Sequence, residues 1–237
     1  MNTKPTALPV LFENIPMELK RIPRWVLWKF VEIGDENTKR WSKLPTQANN
    51  QPASSTNPST WADFLSVQAA YEATPDRFDG VGFVFSDEDN LIGVDLDDCY
   101  DETFTNAALQ QLAHNIDGYM EISPSGTGVK IFTRSLLANA HVDHTKGLEV
   151  YPRGRYFTVT GHHISGTIPE EPQDLTDVIP ARTIRHTGDA FEDYSPPVPE
   201  YDIHRVETEI LSKLPQDCGY TEWLSVGFAL HHQFGGD

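Results

Sequence analysis

Asp95 and Asp97 stand at the end of an apolar run, Leu91-Ile92-Gly93-Val94-Asp95-Leu96-Asp97-Asp98, which follows a second run, Gly80-Val81-Gly82-Phe83-Val84-Phe85. In extended chain, side chains two apart share a face, so the two carboxylates project side by side. Unit charges about 4 Å apart repel by about 4 kcal/mol at an effective dielectric of 20. That is a poor way to end a core strand unless a cation joins the pair, and hard Mg²⁺ or Mn²⁺ prefers oxygen ligands. A solvated strand end running into the acidic turn Asp97-Asp98-Cys99-Tyr100-Asp101-Glu102 accounts for the same residues. Taken alone, an Asp-x-Asp decides nothing.

A second candidate is Ser123-Pro124-Ser125-Gly126-Thr127-Gly128-Val129-Lys130. Small residues between two strands let backbone N–H groups approach an anion, and Ser125, Thr127 and Lys130 add hydroxyls and a positive charge. It is not a Walker A loop, because the spacing differs and a strand follows instead of a helix. A hairpin turn with an exposed lysine explains it equally well. Glu149 is the third candidate, an acid inside the apolar strand Gly147-Leu148-Glu149-Val150-Tyr151. With Leu148 and Val150 facing the core, Glu149 faces either a site or plain solvent. Arg153 and Arg155 suit phosphates or a solvated turn. His141-Val142-Asp143-His144 and His162-His163 lack a Cys or third ligand at zinc spacing. Trp25, Trp28, Trp41 and Trp61 can stack bases, but buried core positions are their expected use.

Two cysteines far apart, Cys99 and Cys218, exclude a disulfide framework and a zinc ribbon and suit a reducing cytoplasm. No apolar run approaches the roughly 18 residues of a membrane span, and residues 1–13 lack the pattern of a secretion signal. The net charge of −17, from 35 acidic and 18 basic residues, argues against a nucleic-acid partner on its face. Its distribution qualifies that. Lys20, Arg21, Arg24, Lys29, Lys39, Arg40 and Lys43 gather early, and Lys130, Arg134, Lys146, Arg153 and Arg155 form a second group, whereas acids crowd residues 170–209. Local field matters more than the sum.

The elements that must position these residues read mostly as strands. A short helical turn at 16–20 leads to a strand at 24–31, a turn at 34–37 and a returning hairpin arm at 39–45. Residues 46–59 read as a loop and 57–71 as a capped helix carrying Trp61, Phe64, Leu65 and Ala69. A strand pair over 80–98, a helix over 105–116, strands at 119–123 and 129–133, and a further pair at 147–151 and 155–160 complete an α/β or α+β domain. Residues 168–202 have the acidic, Pro-rich composition of a linker. Helices are expected at 203–214 and 220–231. Two helices bury little surface alone, so the expectation is of a longer protein cut before a C-terminal module.

The order of Gly93-Val94-Asp95-Leu96-Asp97-Asp98, then Ser123-Pro124-Ser125-Gly126-Thr127-Gly128-Val129-Lys130-Ile131-Phe132, then Gly147-Leu148-Glu149-Val150-Tyr151 resembles the primase–polymerase domain of the archaeo-eukaryotic primase superfamily, in its bacteriophage and plasmid version. Upstream, Pro23-Arg24-Trp25-Val26-Leu27-Trp28 with Lys43-Leu44-Pro45 resembles the family's N-terminal segment. Arg155-Tyr156-Phe157-Thr158-Val159-Thr160-Gly161-His162 resembles the strand after the third acid. Trp223-Leu224-Ser225-Val226-Gly227-Phe228-Ala229-Leu230-His231 resembles the opening of the helical primase C-terminal module. Many family members carry histidine where Lys130 stands, which puts any titrating imidazole there in doubt.

The resemblance implies an RRM-like catalytic core with an N-terminal αβ unit. The domain limits are a tail over 1–22, a catalytic domain over 23–167, a linker over 168–202 and a helical module beginning at 203. It implies a template-dependent DNA primase–polymerase transferring a nucleotide from a dNTP or NTP to a 3′-hydroxyl. Asp95, Asp97 and Glu149 would hold Mg²⁺ or Mn²⁺ for two-metal catalysis. Ser125, Gly126, Thr127, Gly128 and Lys130 would cradle the triphosphate, with Arg153, Arg155 and His162 as further nucleotide contacts. Lys43 and Arg40 would meet template or primer. The implied partners are single-stranded DNA template and primer, with a helicase domain beyond residue 237, in a cytoplasm that is the host's if a phage encodes the chain. A non-catalytic single-strand or origin-binding module and a metal-dependent nuclease are the alternatives.

Overall fold

The β-branched and aromatic run after Pro23 follows one helical turn, α1 (Met17–Lys20), and forms β1 (Trp25–Ile33), which turns back as β2 (Arg40–Thr46). This is the hairpin expected from the sequence. The computed structural model describes residues 3–33, 39–74 and 76–179, all within the first of two units, Met1–Arg182 and Thr183–Asp237. The turn at 34–37 and the helices expected at 203–214 and 220–231 lie outside the described residues. Trp25 and Trp28 are buried, their indole N–H groups donating to the Leu19 and Val81 carbonyls at 3.1 Å. Core use is thus what the structure shows for both.

The helix expected over residues 57–71 begins later, as α2 (Phe64–Ala73). Asn57 caps a separate 3₁₀ turn, Trp61 is extended, and Asp63 caps α2 by accepting from the Ser66 N–H. The shifted start turns Leu65 to solvent, 72% exposed, and buries Val67 beside Phe64. The remaining elements are β3 (Gly80–Val84), β4 (Leu91–Leu96), β5 (Tyr100–Asp101), β6 (Thr103–Phe104), α3 (Ala107–His114), β7 (Tyr119–Ile122), β8 (Val129–Arg134), β9 (His141–Asp143), β10 (Leu148–Tyr151), β11 (Tyr156–Val159) and β12 (His163–Ser165). Asn106 caps α3, accepting from the N–H groups of Ala108 and Leu109.

The fold is α+β, as expected. One sheet has the order β11-β3-β1-β2 and the other β12-β7-β8-β4-β10-β9, with β5 and β6 as a small ribbon. Two expected pairings are corrected. β3 and β4 do not form a pair, and neither do β10 and β11: in each case the chain crosses from one sheet to the other. The reason is burial. β3 is buried at all five positions and needs a neighbour on each edge, which β1 and β11 supply, while β4 is flanked by β8 and β10. The two crossovers lie against each other, joined by the Phe85 N–H to the Arg155 carbonyl at 2.9 Å and the Gly154 N–H to the Phe85 carbonyl at 3.1 Å.

β4 separates two cores. Ile92, Val94 and Leu96 join Leu109, Ala113 and Ile116 on the helix α3 side. Leu91 faces the other way, into a cluster with Phe83, Phe85, Phe132 and Phe157. Gly93 lies on this second face, where a Cβ would meet the Phe157 and Phe85 rings at 2.4 and 2.5 Å. Only a bare backbone admits both rings. The stretch expected to open the linker is packed as far as Ile179: Ile168, Leu175 and Ile179 are buried, and the Gln173 amide donates to the Asp117 carbonyl and Thr133 hydroxyl at 2.6 Å. Apolar residues spaced among the acids and prolines account for this. Among the described residues, no helix is long and apolar enough to cross a membrane.

Candidate active site

The register of the larger sheet puts Asp95 opposite Lys130 on one side and Glu149 on the other. Glu121 stands opposite Lys130 in turn, and His163 opposite Glu121. Directly opposed residues in antiparallel strands present their side chains on one face. Glu121, Lys130, Asp95 and Glu149 therefore form a line of charge across the sheet, on the face where Leu91 and Gly93 meet the aromatic cluster. Three stretches distant in sequence are gathered by strand register alone.

Lys130 is the hub of this line. Its side chain is 6% exposed, its ammonium is ion-paired with Asp95 Oδ2, and it lies 4.4 Å from the centre of the Phe157 ring. The other Asp95 oxygen, Oδ1, is buried without a hydrogen-bond partner. Asp97 follows β4 immediately, and its N–H donates to the Gly147 carbonyl at 2.8 Å. Desolvation, then the Asp95 charge, hold the Asp97 carboxyl above the usual carboxylate range; Glu149 and Asp98 add to this and Lys130 opposes it. Gly147 has φ +66°, and a Cβ there would sit 3.0 Å from the Asp97 carbonyl, so this turn requires glycine twice over.

Glu149 Oε1 lies 3.1 Å from His144 Nδ1, and Oε2 accepts from the Tyr151 hydroxyl at 3.0 Å. The Arg155 guanidinium lies over the Tyr151 ring at 5.0 Å, which places Arg155 at the margin of the site. Lys43 reaches it from the smaller sheet. Burial and the Lys130 charge lower its pKa, while Asp95 and Asp97 raise it. The Tyr156 hydroxyl donates to the Lys43 carbonyl at 2.7 Å and ties that strand in place. Arg40 is exposed at the start of β2, opposite Ile33, and Arg153 is exposed in the crossover. His162 is set apart: its Nε2 lies 2.9 Å from the Pro9 carbonyl.

The loop between β7 and β8 lies directly beside Asp97. The Ser123, Ser125 and Thr127 hydroxyls form a chain, Ser123 Oγ to Ser125 Oγ at 2.9 Å and Ser125 Oγ to Thr127 Oγ1 at 3.0 Å, and Thr127 donates to Asp98 Oδ1 at 3.2 Å. Gly128 is buried, its Cβ position 2.8 Å from the Leu96 carbonyl and 3.6 Å from Asp97 Cα, while around Gly126 the space is open. The loop thus offers exposed hydroxyls next to the acids and delivers Lys130 two residues later.

The chain is 35% identical over 169 residues to a DNA primase-polymerase of Nitratiruptor phage NrS-1. It is similar to a phage primase–polymerase. The match covers 67% of this chain and 22% of that protein, so the chain spans about a fifth of the length of its relative. No protein-family model matches the chain.

Among the described residues, no group of three or more His, Cys, Asp or Glu side chains is placed to hold a metal ion. The donor chemistry nevertheless fits a hard divalent cation. Asp95, Asp97 and Glu149 are all carboxylates, one Asp95 oxygen is buried and unpartnered, and burial, then the Asp95 charge, raise the Asp97 carboxyl above its ordinary range. Two residues of the centre escaped the sequence reading. Glu121 is fully buried, accepts from the Thr160 and Gly161 N–H groups at 2.9 Å and from the Tyr119 hydroxyl at 3.1 Å, and burial pushes its pKa up to about 7. Its signal, an acid inside the apolar strand Tyr119-Met120-Glu121-Ile122, was the same as that of Glu149. Phe157 gave no signal beyond being apolar, because its place under Lys130 depends on how the two sheets meet.

Proposed function

We propose that this chain carries a metal-dependent primase–polymerase centre that joins a nucleotide from a dNTP or NTP to a 3′-hydroxyl on a single-stranded template. The observation that carries the reading is the line Lys130–Asp95–Glu149, flanked by the hydroxyl loop and Asp97, in a chain similar to a phage primase–polymerase. Asp95, Asp97 and Glu149 would hold Mg²⁺ or Mn²⁺, which when bound lowers the cost of charge on the attacking and leaving oxygens. The rest falls to the protein's own groups. Ser125, Thr127 and the Gly126–Gly128 backbone receive phosphate oxygens, and Lys130 meets their charge from the strand below. Lys43 and Arg155 supply positive field from the smaller sheet and the crossover, local compensation for the acidic total. Tyr151 holds Glu149 through its hydroxyl and fixes where that carboxylate points.

The test is extension of a labelled primer on a single-stranded template with Mg²⁺ or Mn²⁺ and each nucleotide pool, beside the double variant Asp95→Ala/Asp97→Ala. Metal-dependent extension that vanishes in a folded variant supports the reading. Strand degradation without nucleotides would instead mark a nuclease, and metal-independent DNA binding without incorporation a binding module.

A further inference from the structure

We infer that Lys130 is the resident counter-ion of Asp95 and couples the two ligands of this centre: a divalent cation must displace its ammonium from the carboxylate, and an anionic triphosphate takes the ammonium up. The inference rests on reading the three acids as cation ligands.

The geometry gives Lys130 few alternatives. Its stem runs within a buried strand, its side chain is 6% exposed, and its ammonium lies between the Phe157 ring and Asp95. On its other side Glu121 is already occupied, accepting from two backbone N–H groups and a tyrosine hydroxyl. Charge balance for Lys130 therefore comes chiefly from Asp95, and Asp95 has given it one oxygen while the other stays unpartnered. Lys43 adds a second positive charge close by. A doubly charged cation arriving at Asp95 meets an ammonium in contact with the same carboxylate, and like charges at such distances in a partly desolvated site repel strongly. Entry of the metal is an exchange, not an addition.

The displaced ammonium has a place to go. Lys130 follows the hydroxyl loop by two residues, and Gly128 sets that loop against Asp97, so a triphosphate seated on Ser125 and Thr127 would stand beside the acids and offer the lysine a second anionic partner. Phosphate binding draws Lys130 off Asp95 and frees the oxygen for metal; metal binding pushes Lys130 toward phosphate. Each ligand tightens the other, and by linkage the factor is the same in both directions.

The experiment measures Mn²⁺ binding by calorimetry without nucleotide, in the wild-type chain, Lys130→Met and Lys130→Arg. The Met variant is expected to bind Mn²⁺ about tenfold tighter or more and inorganic tripolyphosphate more weakly. The Arg variant keeps weak Mn²⁺ binding. A folded Met variant with unchanged or weaker Mn²⁺ affinity overturns the inference, since a merely structural lysine gives no gain. Should the Met variant not fold, the wild-type chain decides: with ¹³Cε-labelled lysine, Mg²⁺ alone must move the Lys130 signal, and a signal that does not move overturns it. Tight Mn²⁺ binding by the Met variant alongside wild-type protein that extends no primer would discard the polymerase reading and leave the exchange standing. Normal extension with unchanged Mn²⁺ affinity would do the reverse.

Discussion

Among the described residues, two cations are buried against carboxylates, each lying over an aromatic ring. Arg24, 2% exposed, sits 5.0 Å from the centre of Phe83 and donates to Asp89 and Ser86 in the turn that carries the chain from the smaller sheet to the larger. Lys130 sits 4.4 Å from the centre of Phe157 and pairs with Asp95. The difference lies in what the carboxylate has left over. Asp89 gives Oδ2 to the guanidinium and Oδ1 to the Leu91 N–H at 3.3 Å, so both oxygens are used. Asp95 keeps Oδ1 bare, with Glu149 directly opposite on the neighbouring strand and Asp97 two residues further along the chain. Arginine's planar fork suits a pair that must stay closed, whereas lysine is a movable point charge. One pair holds the crossover between sheets; the other leaves a buried carboxylate oxygen unpartnered.

That contrast is open to attack, beginning with the largest effect. Asp95→Asn is expected to lower primer extension by about 10³-fold or more, with little loss of stability, because relief of repulsion from Asp97 and Glu149 offsets the orphaned lysine. Extension that survives would put the two pairs in one class. Asp89→Asn is expected to do the opposite. Chemical denaturation should show a loss of roughly 3–5 kcal/mol, the usual cost of stranding a buried charge, while Mn²⁺ affinity stays at the wild-type value.

Glu121 gives the next effect, read as stability against pH. Its folded pKa of about 7 exceeds the ordinary 4.5, so the folded state holds the proton more tightly than the unfolded state does. Its contribution is fully present below about pH 4.5 and is lost as pH rises to about 7, a fall of up to roughly 3 kcal/mol. Urea titrations across that window should show the slope, and Glu121→Gln should flatten it. A slope unchanged in the variant would remove Glu121 from the charge line. Smaller still is Gly93→Ala, at about 2 kcal/mol for overpacking. The added Cβ presses on Phe157, the ring beneath Lys130, so thermal melting should fall together with primer extension. A loss of stability alone would show that the ring does not position the lysine.

Several members of the charge line are legible in the sequence alone. Asp95, Asp97 and Glu149 stood out because acids in apolar strands are costly without a partner, and the loop stood out because small residues and hydroxyls separate two strands. The hairpin of β1 and β2, the pair of β7 and β8 and the core use of Trp25 and Trp28 followed from local pattern. The errors share one cause. The connections after β3 and β10 are short, and a short connection between strands reads as a hairpin, yet both cross between sheets. Likewise Leu65 sat at helical spacing, but Asp63 rather than Asn57 caps the helix and turns it outward.

The sequence by itself determined which residues can do chemistry and which strands carry them, since periodicity and residue type act over a few neighbours. Only the tertiary structure decided that Asp95, Lys130, Glu149 and Glu121 share one line, that Lys43 reaches it from another sheet, and that Phe157 lies beneath. Those facts depend on strand order and register, which are set by the burial of both faces of β3 and β4 against partners distant in the chain.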